Sequence, residues 1–177
     1  MSLLALLLVQ AVVRIAPPDP VLPPSDPEAA FALFRQVCVE PFPAPARFEA
    51  AIAARPGFAR WRPASSLEAL VPGETWRSPT ATVRYIADDP YGADLPRPQC
   101  HVTVVAPTGA DAELLFPRLA AVLGLGQGRV VGKTRYRTAM WDLDRAGGTR
   151  WRVILGTERH GDRMALKLSM LNLGAKR

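Results

Sequence analysis

Apolar positions recur at two periods along this chain, and the change from one to the other divides it. From residue 30 the spacing is helical: Ala30, Phe31, Phe34, Val37 and Cys38 fall on one side of a 3.6-residue repeat. Ser25 and Asp26 are N-cap candidates and Pro27 suits the first helical position, so a helix is predicted from there to about Glu40, burying Cys38. Pro41, Pro43 and Pro45 end it. A second helix, about residues 45–54, presents Phe48, Ala51 and Ile52 and stops at Pro56-Gly57.

Period-two alternation then takes over. Trp76, Val83 and Tyr85 mark a strand within residues 75–87 that is interrupted at Pro79, and residues 101–106 (HVTVVA) form a β-branched strand. Ser65 to Glu68 suits a helical turn, and residues 90–98 read as a loop. Leu115, Leu119, Val122 and Leu123 return to helical spacing over residues 111–123, where Pro117 must kink the helix or mark its start. The glycines at 124, 126 and 128 end that helix. Three strands follow, at residues 133–143, 149–158 and 163–173, joined by Ala146-Gly147-Gly148 and His160-Gly161-Asp162. Connections this short require antiparallel pairing. The predicted fold is α+β: N-terminal helices and one mid-chain helix packed on one face of an antiparallel sheet that ends in a three-stranded meander.

The opening residues obey neither period. Leu3 to Val9 is a charge-free apolar run, too short for a bilayer span of about 20 residues but long enough for a cleavable export signal. Val9 and Ala11 supply small residues at −3 and −1, which places the break after Ala11. Six prolines crowd positions 17–27, a stiff, extended composition that builds no core. The organisation read from the chain is a signal peptide at 1–11, a proline-rich spacer at 12–27 and one α+β domain at 28–177. The expected location is periplasmic or secreted.

Export decides how the cysteines are read. The chain has two, Cys38 and Cys100, and in an oxidising compartment a lone pair suggests one bridge. Closing a loop of roughly 60 residues contributes about 4 kcal/mol in the chain-entropy picture. Neither cysteine has a second ligand at metal spacing, so no metal or other cofactor is expected.

Charge is unevenly placed. Residues 1–128 hold 10 basic against 12 acidic side chains, whereas residues 129–177 hold 12 against 4. Alternation in the meander assigns Tyr136, Thr138 and Met140, Trp151, Val153 and Leu155, and Met164, Leu166, Leu168 and Met170 to the helix side. It assigns Lys133, Arg135, Arg137, Arg150, Arg152 and Lys167 to the opposite side. By parity Trp141 shares the side of Arg137, and an exposed Trp beside arginines favours binding. This basic face is the candidate binding surface, for an anionic lipid, an envelope polymer or an acidic protein surface. A merely solvated sheet face is the plain alternative.

Other motifs carry less. Gly132-Lys133-Thr134 resembles the end of a phosphate-binding loop, but Gln127 stands where that motif needs glycine and the residues that follow read as strand. Asp88, Asp89 and Asp94 flank a Pro/Gly loop and fit a solvated loop better than a cation site. The basic residues lack a recognition helix or stacking aromatics, so no nucleic-acid partner is expected. No nucleophile motif appears, and no catalytic residue is assigned. A hydrolase without a motif, using His101 or His160, is the rival of a different class, and a purely structural domain is the third.

Residues 34–58 (FRQVCVEPFPAPARFEAAIAARPGF) and 97–104 (RPQCHVTV) resemble small exported proteins of proteobacteria. In those a cysteine ends the first helix and a second lies in a mid-chain strand. The resemblance covers about a third of the chain and implies a structural cysteine pair. It implies no activity and no catalytic residues.

Overall fold

The computed structural model describes residues 22–61, 73–87, 98–133, 135–144 and 148–175. The export segment, most of the spacer, the Ser65–Glu68 turn and the Asp88, Asp89 and Asp94 loop lie outside the described residues.

Helix α1 (Pro27–Phe34) starts where Asp26 accepts from the backbone N–H groups of Glu28 and Ala29, with Pro27 in its first turn. It runs directly into a π-helical turn, Arg35–Val39, closed by Glu40 N–H to Arg35 O at 2.9 Å. Together they bury Ala30, Phe31, Phe34, Val37 and Cys38. Helix α2 (Pro45–Ala53) buries Phe48 and Ile52. Helix α3 (Ala112–Leu123) is capped by Asp111 and ends at Gly124, whose φ of +64° is a left-handed C-cap that favours glycine. Pro117 lies exposed inside α3 and does not stop it; the proline forfeits one ladder bond while Leu115, Phe116 and Leu119 hold the helix down.

Among the described residues, eight antiparallel strands form one sheet: β1 (Ala59–Trp61), β2 (Glu74–Arg77), β3 (Ala81–Ile86), β4 (Gln99–Ala106), β5 (Arg129–Lys133), β6 (Tyr136–Asp144), β7 (Thr149–His160) and β8 (Arg163–Ala175). Their spatial order is β1-β2-β3-β4-β8-β7-β6-β5. The predicted α+β class and the β6–β7–β8 meander are present. Strands β1 and β5 are additions to the predicted set, and the single interrupted strand predicted within residues 75–87 is a hairpin of two antiparallel strands, β2 and β3. Strand β5 hides in the sequence because Gly132 to Arg135 reads as continuous with β6, whereas the chain turns back there. At Gly132 (φ +92°) an added Cβ would lie 2.2 Å from Tyr136 O, so only glycine fits.

Cross-strand register fixes the two faces. Trp76, Val83, Val102, Leu168, Leu155 and Ala139 make one continuous row on the helix side. Tyr85, Cys100, Met170, Val153 and Trp141 make the next. These rows, with the buried residues of the three helices, are the core. Cys38 and Cys100 are disulfide-bonded with Cα atoms 5.5 Å apart, tying the end of the first helical segment to β4 across a separation of 62 residues. The end of the proline spacer is not detached: Pro24 bridges Val105, and Ser25 N–H donates to Val105 O at 2.8 Å. The N-cap of α1 is thereby seated against the edge of the core.

Candidate functional site

The side of the sheet away from the helices mixes apolar positions, among them Ile86, Val105, Met140, Ile154 and Leu171, with an excess of cations. On its strand positions stand Arg77, Arg84, Arg129, Lys133, Arg150, Arg152, Arg163 and Lys167, against the carboxylates of Asp142, Asp144 and Glu158. The mechanism is register: β4 pairs with β8, so the polar side of the β2–β3 hairpin and the polar side of the meander become one surface.

Four of the six sequence-predicted residues, Lys133, Arg150, Arg152 and Lys167, lie on this open face. They do not converge. Lys133 sits opposite Tyr136 and Arg150 opposite Asp144, ends of β6 separated by roughly 27 Å at strand spacing. Arg135 occupies the β5–β6 connection, its guanidinium over the Tyr136 ring at 5.2 Å and 3.8 Å from Glu158. Arg152 is tied to Asp142 by two hydrogen bonds, at 2.5 and 2.9 Å. That pairing holds the Asp142 carboxyl below the usual carboxylate range and raises the Arg152 guanidinium.

Arg137 is a correction. It lies on the helix side, paired with the buried Thr157, and its guanidinium forms an ion pair with Glu113 of α3. The sequence parity was right but the side was inverted, because Tyr136, Thr138 and Met140 face outward and Ala139 and Trp141 face the core. Trp141 is likewise no exposed binding aromatic. It is 5% exposed, and its Nε1–H donates to Gly126 O at 3.0 Å.

At the centre of the open face the polar side chains are locked together. His101 Nδ1 lies 2.8 Å from Ser169 Oγ, and Nε2 lies 3.0 Å from Gln99 Oε1. With Gln99 accepting from Nε2–H, Nδ1 accepts the Ser169 hydroxyl. One strand over, Arg84 Nε donates to Thr75 Oγ1 at 3.0 Å. Lys167 lies diagonally across β4 from Arg84, with His101 and Thr103 between them. The Lys167 side chain is exposed, but partial desolvation of its ammonium, and then the nearby Arg84 charge, push it below its usual value. Among the described residues neither Arg84 nor Lys167 has a carboxylate partner.

Arg84, Thr75, Ser169 and Gln99 were not read as site residues from the chain. The alternation of β3 already sets Arg84 opposite Val83 and Tyr85. What the sequence lacks is the pairing that joins this hairpin to the meander.

A serine beside an imidazole is also the beginning of a nucleophile pair. Here Ser169 is 5% exposed. The backbone N–H groups around it lie in central strands whose ladders engage them, leaving no backbone oxyanion hole among the described residues. The trio therefore fits a positioning role better than acyl transfer. His160 ends β7 beside the tight turn to β8. No group of three or more His, Cys, Asp or Glu side chains among the described residues is arranged to hold a metal ion. No described helix is long and apolar enough to cross a membrane.

The chain matches no protein-family model, and neither the curated proteins nor the solved structures include a significant match to it.

Proposed function

We propose that this is an exported binding protein of the cell envelope whose open sheet face docks on an anionic lipid surface. The observation that carries the reading is the segregation of charge: among the described residues, eight strand cations stand against three carboxylates on the face that the described helices leave uncovered. A broad sheet face with spread cations suits a surface of repeated headgroups better than a cleft-seeking ligand, and each cation near such a surface contributes about 1 kcal/mol. Export is supported by the Leu3–Val9 apolar run, the proline spacer and the Cys38–Cys100 bridge. Envelope polymers and acidic proteins are the competing partners.

The test is co-sedimentation with phosphatidylglycerol and with phosphatidylcholine vesicles at low salt and at about 0.5 M salt, where screening shortens to a few ångströms. Binding to the anionic vesicles alone, lost at high salt, is expected. Replacing Lys133, Arg150 and Lys167 by glutamate together should weaken it more than about 100-fold, whereas Arg55→Glu, beyond α2, should leave it unchanged. Equal binding to both vesicle types, or a triple variant that binds like wild type, overturns the reading.

A further inference from the structure

We propose that Arg84, Thr103 and Lys167 form one discrete site for a phosphate group at the centre of the open face, with His101 held by Ser169 and Gln99 as its fixed wall. This rests on the open face being the anion-docking surface and goes beyond it, since diffuse attraction needs no particular residue.

Three neighbouring strands each supply one donor. Arg84 comes from β3, Thr103 from β4 and Lys167 from β8, all on the same face by register. Strand spacing separates the Cα atoms of Arg84 and Lys167 by roughly 12 Å, a span that two long cationic side chains close around one small anion. Arg84 Nε is committed to Thr75 Oγ1, which fixes the guanidinium plane and leaves its Nη edge to donate. Lys167 approaches from the other side as a point charge, and Thr103 offers a hydroxyl between them. Three donors from three directions suit the oxygens of a tetrahedral phosphate better than the two coplanar oxygens of a carboxylate.

The surroundings support occupancy by an anion. Both ring nitrogens of His101 are engaged, so the imidazole holds its place beside the two cations. The two cations stand diagonally across β4 with no carboxylate partner among the described residues, and partial desolvation, then the nearby Arg84 charge, makes the Lys167 ammonium harder to charge. A bound phosphate removes the repulsion. The same chemistry is offered by a lipid headgroup and by a soluble phosphate, and the experiment separates them.

Inorganic phosphate is titrated into isotope-labelled full-length protein, with acetate as the planar comparison, and phosphatidylglycerol vesicles are added with and without phosphate. Saturable shifts centred on Arg84, Thr103 and Lys167, stronger for phosphate than for acetate, are expected. Arg84→Met and Lys167→Met should each weaken phosphate by about tenfold or more, the loss of one charge-assisted contact. Lys167→Arg, which keeps the charge, should recover most of it and guards against a folding defect. Displacement of the protein from vesicles by phosphate assigns the site to headgroups; phosphate binding without displacement assigns it to a soluble phosphate. Shifts spread evenly over Lys133, Arg150 and Lys167, or no shift at all, overturn the site. If vesicles still bind in that case, the docking face stands without it; if they do not, both fall.

Discussion

Reduction of the Cys38–Cys100 bond is expected to lower the unfolding free energy by about 4 kcal/mol, and the midpoint of thermal unfolding by roughly 10–15 °C. The bond closes a separation of 62 residues, and in the chain-entropy picture that length sets the magnitude. Its position adds to the effect. Cys38 lies at the end of the α1–π segment and Cys100 at the start of β4, both essentially inaccessible at 1% and 0% exposure. The bond thus fixes the helical layer to a central strand, the one that joins the hairpin half of the sheet to the meander half. Denaturant unfolding with and without reductant, checked against the Cys38→Ala/Cys100→Ala protein, makes the measurement. A difference below about 1 kcal/mol in both comparisons would show that the bond constrains nothing the fold needs.

Phe48→Ala should cost about 3–5 kcal/mol. Helix α2 is short, and its hold on the sheet is concentrated in Phe48 and Ile52. The Phe48 ring stacks on Tyr85 at 4.5 Å and meets Trp76 edge-on at 5.0 Å, with 1% of the residue exposed. Tyr85 in turn donates its hydroxyl to Pro43 O at 2.6 Å, at the entry to α2. Truncation leaves a void between two aromatic rings that are fixed in strands and cannot collapse onto it. Equilibrium denaturation reads the loss; a change under about 1 kcal/mol would mean α2 is held by something other than this aromatic trio.

The helices were legible in the chain because their signals are local. Asp26 and Pro27 start α1, the proline cluster ends it, and the glycine after Leu123 caps α3. The cysteine pairing was legible too, since two thiols allow one connectivity. The faces of β7 and β8 were legible together with the side each meets, since Val153, Leu155, Leu166 and Leu168 are in the core; that of β6 was legible only as parity. Alternation groups Arg137 with Trp141, but nothing in strand β6 says which group meets the helices. Burial of Ala139 and Trp141 decides it, and the long Arg137 side chain reaches Glu113 at the margin of the core. The centre of the candidate site was hidden for a different reason. Arg84 and Lys167 are 83 positions apart, and only the β4–β8 pairing, a long-range contact with no local signature, sets them on one surface.

The chain has three lysines, Lys133, Lys167 and Lys176, and two of them stand on the open face. Acetylation rates at each, read by mass spectrometry with and without phosphatidylglycerol vesicles, therefore report directly on which surface meets the partner. Strong protection of Lys133 and Lys167 in the vesicle-bound protein, reversed by high salt, is the result expected of a docking sheet face. Full binding with Lys167 acetylated as fast as in the free protein would contradict it.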